Sequence, residues 1–275
     1  MTSETNKIVV KNVYKIFGDR VEDALRMARQ GADKDAVLGQ TGCVIGVHDL
    51  SLTIGAGEIF VIMGLSGSGK STLVRHFNRL IDPTSGQIEV DGQNILDYDM
   101  AGLRDFRRKR ISMVFQSFGL LPHKTVLGNV AYGLKVRGEE KAVCRERAEK
   151  WIATVGLSGY ENKYPHQLSG GMRQRVGLAR ALAADTDIIL MDEAFSALDP
   201  LIRTEMQDQL LDLQKQLNKT IVFITHDLDE ALRLGNRIAI LKDGRLIQVG
   251  TPHEITHSPA DDYVNRFVQR RVAVI

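Results

Sequence analysis

The chain has 275 residues, 43% of them hydrophobic and 25% charged, an ordinary soluble globular composition with length for one large domain or two small ones. Lys and Arg total 36 against 34 acidic residues, a formal charge of +2, so no excess basicity points to nucleic acid. Met1 to Lys7 lacks a signal-peptide core, no run approaches a membrane span, and Cys43 and Cys144 show no metal-ligand spacing, so the expectation is a cytosolic protein with two unpaired thiols.

In chain order, Ile8–Val13 reads as a first strand, followed by Tyr14-Lys15-Ile16-Phe17-Gly18. Phe17 either joins the core or offers its face to a purine, and position alone leaves both open. Residues 20–40 read as an inserted helical hairpin: Val21, Ala24, Leu25 and Ala28 are helically spaced, Gly31 stops the first helix and Asp33 caps the second. No catalytic residue types occur there, so packing is the expected role. Val44–Val47 and Leu50–Ile54 read as two strands.

Glu58–Met63 is a β-branched and aromatic run between Gly57 and Gly64, the pattern of a buried strand. Gly64-Leu65-Ser66-Gly67-Ser68-Gly69-Lys70-Ser71-Thr72 follows, then Leu73, Val74, Phe77, Leu80 and Ile81 at helical spacing. Strand, Gly-rich turn and helix are the setting in which G-x-x-x-x-G-K-[ST] becomes a phosphate-binding loop. The glycines let successive N–H groups turn inward, Lys70 places a charge on the β/γ-phosphates, and the Ser71 hydroxyl can ligate Mg²⁺. The stretch predicts a nucleoside triphosphate site.

Beyond the loop, Gln87–Gly92 is a strand ending in a turn, Leu103–Arg110 a basic helix with a solvated face, and Ile111–Phe115 a strand running into Gln116. Helices are expected over Val126–Val136 and Glu139–Val155, the latter with Trp151 and Ile152 on its apolar side. Leu168–Gln174 opens a helix to Ala184, and its small polar start exposes backbone donors to an anion. Asp187–Glu193 is an apolar run ending in Asp192 and Glu193, carboxylates at the carboxyl end of a buried strand. Asp199 as N-cap and Pro200 at N1 start a helix to Leu217. Thr220–Thr225 is a strand ending at His226, Lys242-Asp243-Gly244 turns a hairpin between two further strands, and Thr251–Ile275 is a short helix-forming tail.

A phosphate loop, a Gln after a strand, Leu168-Ser169-Gly170-Gly171-Met172-Arg173-Gln174, an apolar run ending Asp-Glu, Ser196-Ala197-Leu198-Asp199 and a strand-terminal His occur in that order. Together they resemble the nucleotide-binding subunit of ATP-binding cassette (ABC) transporters across essentially the whole chain. The 20–40 insertion, the wording of the phosphate loop, Met113-Val114-Phe115-Gln116-Ser117-Phe118 and Met191–Arg203 are most similar to the glycine betaine/proline/choline importer group. The resemblance implies an α/β P-loop ABC ATPase fold over residues 1–275. That fold has a mixed sheet around the P-loop helix, an antiparallel β part, a helical subdomain at about 97–165 and a C-terminal helical tail from about 250. Many members of that group continue into paired CBS regulatory domains. This chain ends at Ile275, and the expectation is that it carries none.

The resemblance also assigns roles. Gly64, Leu65, Ser66, Gly67, Ser68, Gly69, Lys70, Ser71 and Thr72 wrap the triphosphate of ATP, and Phe17 stacks on adenine. Ser71 and Gln116 ligate Mg²⁺, and Asp192 holds the ion through water. Glu193 orients the attacking water and His226 contacts the γ-phosphate. Ser169, Gly170 and Gly171 bind the nucleotide held by a second copy, and Asp199 belongs with the nucleotide-binding set. Met172 stands where many cassettes have Gln. Ser117–His123 resembles the surface that grips a permease helix. The implied assembly is a homodimer sandwiching two ATP on membrane-embedded permease subunits at the cytoplasmic face, served by a solute-binding protein and without nucleic acid.

Other readings stay open on the residues. DNA-repair cassettes insert a coiled coil where the Lys70–Ser169 interval has no sustained heptads, and translation-factor cassettes come in pairs. An exporter subunit, or an importer of another small solute such as an amino acid, shares the same motifs. A small P-loop kinase leaves Leu168–Gly171 unexplained.

Overall fold

The computed structural model describes residues 6–196 and 198–272, with side chains through residue 269. Ala197 of the Ser196–Asp199 stretch, the first five residues and the last three of the expected tail lie outside the described residues. The chain divides into two compact units, Met1–Asp99 with Ile224–Ile275, and Met100–Phe223.

The first unit opens with β1 (Asn6–Phe17), then α1 (Val21–Arg29), α2 (Lys34–Thr41), β2 (Val44–Gly55), β3 (Ile59–Met63), α3 (Lys70–Phe77), β4 (Ser85–Val90) and the two-residue β5 (Gln93–Asn94). β1 pairs antiparallel with both β2 and β4, giving the order β2-β1-β4-β5. The two strands expected over 44–54 are one. The apparent break at His48-Asp49 is a bulge: Asp49 sits at φ +50°, Asn12 at φ +47° in a neighbouring irregularity of β1, and the Asn12 amide donates to the Asp49 carboxylate at 3.1 Å. The insertion is the expected hairpin, with the Asp33 carboxylate accepting the Ala36 N–H. Ala24, Ala28 and Val37 pack on Tyr14, Ile16 and Ile45, so these helices cover one face of β1 and β2.

In the second unit come α4 (Met100–Lys109), β6 (Ile111–Val114), α5 (Val126–Val130), α6 (Tyr132–Val136), α7 (Lys141–Thr154), α8 (Gly170–Ala183), β7 (Ile188–Asp192), α9 (Pro200–Leu217) and β8 (Thr220–Thr225), which runs through the boundary. α4 keeps its basic residues outside and sinks only Leu103 and Phe106. The helix expected over 126–136 is broken at Ala131, between Gly128 and Gly133, both poor helix formers. The strand order is β8-β7-β6, with β6 and β7 parallel from Ile111 opposite Ile188 to Val114 opposite Met191. Every residue of β7 and β8 is buried, which is why both read as unbroken apolar runs rather than alternating ones. Phe195 and Phe223 meet at 5.5 Å in this core. Asp199 caps α9 through the Ile202 N–H with Pro200 at N1, as the sequence predicts.

The chain then re-enters the first unit through α10 (Leu228–Leu234), β9 (Arg237–Lys242), β10 (Arg245–Gly250), α11 (Pro252–His257) and α12 (Asp262–Val272). β3 pairs parallel with β9, and β9 antiparallel with β10, a mixed arrangement that places the end of β3 beside Leu241.

Candidate functional site

In the first unit, the turn between β3 and α3 is held from three sides. Gly64 has φ +154°, and a Cβ on it would lie 2.3 Å from the Leu241 carbonyl oxygen. Gly69 has φ +96°, and its Cβ would lie 2.3 Å from the Gly46 oxygen. Neither position accepts a side chain, for want of both space and backbone freedom. Gly244, in the β9–β10 turn, donates its N–H to the Ser68 carbonyl at 3.1 Å and accepts the His48 N–H at 2.8 Å. The His48 ring lies 2.6 Å from an Arg245 nitrogen. Burial, and then the Arg245 charge, push its pKa down, so the ring is neutral and accepts from Arg245.

Lys70, the first residue of α3, is buried and curls back over the loop, donating to the carbonyls of Gly64 at 2.9 Å and Leu65 at 3.0 Å. An ammonium held against a Gly-rich loop at a helix start is an arrangement that suits an anion. Ser68 Oγ is buried there without a hydrogen-bond partner. Leu65, Ser66 and Gly67 form the exposed rim, and Ser71 and Thr72 lie half-buried in the first turn of α3.

Phe17 is not a core residue. It is 41% exposed at the end of β1, with its ring edge against Gly46 and Lys15 Nζ 5.0 Å from its centroid. The same Gly46 faces the Thr72 methyl, so an exposed aromatic plane stands beside the phosphate loop. His226 follows β8, exposed, where Asp227 caps α10 through the N–H groups of Asp229 and Glu230.

In the second unit, Gln116, Asp192 and Glu193 stand at the ends of the adjacent parallel strands β6 and β7. Gln116 donates through Nε2 to Glu193 Oε2 at 3.0 Å. Glu193 has φ +46°, unusual for a residue with a long side chain, and Ser196 holds its carbonyl through both Oγ at 2.9 Å and N–H at 3.2 Å. Asp192 is 4% exposed, one residue earlier and on buried strand. Ser169 caps α8 by accepting the Met172 N–H at 3.2 Å. Gly170, Gly171, Leu198 and Asp199 line a groove of about 610 Å³ with it.

Several contributors escaped the sequence reading. Tyr160, exposed, lines the groove at Ser169. Arg180 donates to the Gly119 carbonyl at 2.6 Å and the Phe118 carbonyl at 3.2 Å, and Arg173 lies 4.8 Å from the Phe118 ring, so α8 grips the loop after Gln116. Burial lowers the pKa of Arg180. Asn129, fully buried on α5, accepts the Leu121 N–H and donates to the carbonyls of Leu121, Lys124 and Thr125. A lone Asn in an apolar helix was the available signal for it.

The chain matches known proteins. A model of the family described as "ABC transporter" matches residues 47–196. The chain is 59% identical over 261 residues to the glycine betaine/proline betaine transport system ATP-binding protein ProV of Escherichia coli (strain K12), covering 95% of this chain and 65% of that protein. It is 54% identical over 262 residues to the trimethylamine N-oxide transport system ATP-binding protein TmoW of Ruegeria pomeroyi, covering 95% and 77%. Among solved structures, the dimeric post-hydrolysis state of the ATP-binding cassette MJ0796 bound to ADP and Pi superposes with a TM-score of 0.76 at 33% identity, over 89% of this chain and 98% of that one. The chain thus spans just under two-thirds of the length of the Escherichia coli protein. The matched family segment takes in β3, the phosphate loop, the α8 cap and the Asp192-Glu193 strand end, more than half of the chain, and by that match the chain belongs to the ABC transporter family.

Proposed function

We propose that the chain is a single nucleotide-binding domain that hydrolyses ATP to power a membrane importer for a quaternary amine or related compatible solute. The observation that carries the ATP reading is the braced loop at Gly64–Thr72, with Lys70 buried over it and the Ser68 hydroxyl left without a partner. Both features fit a polyphosphate, and the exposed Phe17 ring fits adenine. The solute class rests on relatives named for glycine betaine, proline betaine and trimethylamine N-oxide transport.

Phosphoryl transfer needs positioning and charge neutralisation more than covalent help. Lys70 and the loop N–H groups hold the β/γ-phosphates, and His226 contacts the γ-phosphate. Glu193, with its carboxylate oriented by Gln116, accepts a hydrogen bond from the attacking water and aims it at phosphorus. Ser71, Gln116 and Asp192 offer hydroxyl, amide and carboxylate oxygens, the hard donor set that suits Mg²⁺. With Nε2 of Gln116 given to Glu193, its amide oxygen is the atom that would hold the cation. That ion would neutralise phosphate charge. Ser169, Gly170 and Gly171 contact the nucleotide of a second copy, with Asp199 at the same groove, which makes the working unit a dimer. Ser117–His123 docks on the permease at the cytoplasmic face of the membrane, and a solute-binding protein delivers the cargo. Among the described residues no helix is long and apolar enough to cross a membrane, in keeping with a peripheral subunit.

The test is uptake of labelled glycine betaine, choline, proline betaine, trimethylamine N-oxide and histidine by cells lacking this chain, complemented with wild type or Lys70→Ala. One amine that depends on wild type and fails with Lys70→Ala is the expected result. Histidine uptake alone, or no response to any solute, overturns the amine assignment.

A further inference from the structure

The phosphate loop is tied to the far end of the chain. Tyr263, on α12, lies 198 residues from Leu65, and the Leu65 N–H donates to its hydroxyl oxygen at 3.4 Å. The same hydroxyl donates to the Leu241 carbonyl at 3.2 Å. That carbonyl is the atom against which Gly64 has no room for a Cβ. One hydroxyl therefore bridges the loop's entrance and the strand end on which the loop rests.

The ring that carries it is fixed. Phe267 meets it edge-on at 5.1 Å, Lys242 Nζ lies 5.0 Å from its centroid, and neighbouring Val264 is fully buried. Burial, with the Asp243 and Asp261 charges behind it, raises the phenol pKa, so the group stays protonated and keeps its donor. Leu65, Tyr263, Arg266 and Phe267 also line a cavity of about 100 Å³. Leu65 has space to shift into if the hydroxyl lets go.

We propose that Tyr263 is a positioning residue for the phosphate loop, setting the backbone at Leu65 so that the N–H groups beyond it face a bound polyphosphate. The proposal rests on the nucleotide reading of that loop and adds α12 to the site. It makes nucleotide affinity a property of the C-terminal helix as well as of the loop.

The experiment measures MgADP binding by calorimetry on the full chain, together with amide hydrogen exchange across residues 64–69. Tyr263→Phe removes the hydroxyl and keeps the ring. Losing one neutral hydrogen bond to the loop predicts a Kd raised about 3–10-fold, faster exchange at Leu65 and an almost unchanged melting temperature. Phe267→Leu keeps the hydroxyl and loosens the ring's packing, and is expected to bind nearly as wild type does. Wild-type affinity and wild-type Leu65 exchange in Tyr263→Phe overturn the proposal. So does a Phe267→Leu loss as large as that of Tyr263→Phe, which would mean that helix packing alone matters. Lys70→Ala serves as the check on the underlying reading. If it binds MgADP like wild type, the nucleotide site lies elsewhere, and Leu65 exchange alone then decides whether Tyr263 holds the loop.

Discussion

Gly69→Ala places two costs on one residue. Gly69 sits at φ +96° as the N-cap of α3, and its new methyl would lie 2.3 Å from the Gly46 carbonyl oxygen. Left-handed backbone costs a residue with a Cβ about 1–2 kcal/mol. Forcing a methyl against packed backbone adds about 1–3 kcal/mol, for a total of about 2–5 kcal/mol. Gly67 supplies the internal control. It has φ +77° but nothing within 4 Å of its would-be Cβ, so Gly67→Ala should cost only the first amount. Urea unfolding followed by far-ultraviolet circular dichroism measures both. Trp151, the single tryptophan, belongs to the other unit, and its fluorescence would report on the wrong part of the chain. If Gly69→Ala is no costlier than Gly67→Ala, the close approach to Gly46 does not shape the loop, and the bracing argument fails.

Glu193→Gln should keep ATP binding, lower hydrolysis by about 10²–10⁴-fold and trap an ATP-bound dimer; light scattering that finds only monomer at saturating Mg-ATP would count against it. Asn129→Ala removes a fully buried amide that accepts one N–H and shares its two N–H donors among three carbonyls, which should destabilise the second unit by about 2–4 kcal/mol. Urea unfolding read by Trp151 fluorescence tests it, and a wild-type midpoint refutes it. Lys219 donates to Asp185 at 2.8 Å, and that hydrogen bond, with the Lys219 charge, holds the Asp185 carboxyl below the usual carboxylate range. A depressed carboxyl stabilises the fold above its unfolded pKa and loses that contribution as pH falls through its folded value. Lys219→Gln should therefore cost under about 1 kcal/mol at neutral pH, since Asp185 is largely exposed, and nothing once the carboxyl is protonated in acid. A wild-type-minus-variant gap that persists at pH 2 would refute the assignment.

What the chain announced in advance was what short-range chemistry controls. Asp33 and Asp199 each cap the helix their position predicts, and β3, β7 and β8 read as buried because no polar residue interrupts their apolar runs. The phosphate loop was legible for the same reason, since its glycines, lysine and hydroxyls lie within nine residues. The bulge at Asp49 was not, because a polar pair inside an apolar run looks like a turn until the partner strand supplies Asn12. Nor were Tyr263 and Arg180, whose partners lie 22 to 198 residues away and answer to no local period. Phe17 stayed ambiguous in sequence because an aromatic at a strand end is decided by what packs against it, here Gly46 at the ring edge and Lys15 over the face. Roles that depend on a second nucleotide or a second copy have no intramolecular geometry to read.

The grip of α8 on the loop after Gln116 has a mechanical consequence. Arg173 and Arg180 are two turns apart on one helix face, roughly 10 Å along the axis. One stacks on the Phe118 ring and the other holds the carbonyls of Phe118 and Gly119. A strap fastened at two stations along a rod transmits torque, whereas one fastened at a single point lets the rod pivot. A push on Phe118–Gly119 would therefore load α8 at two stations as a lever, with the Ser169 cap at its leading end.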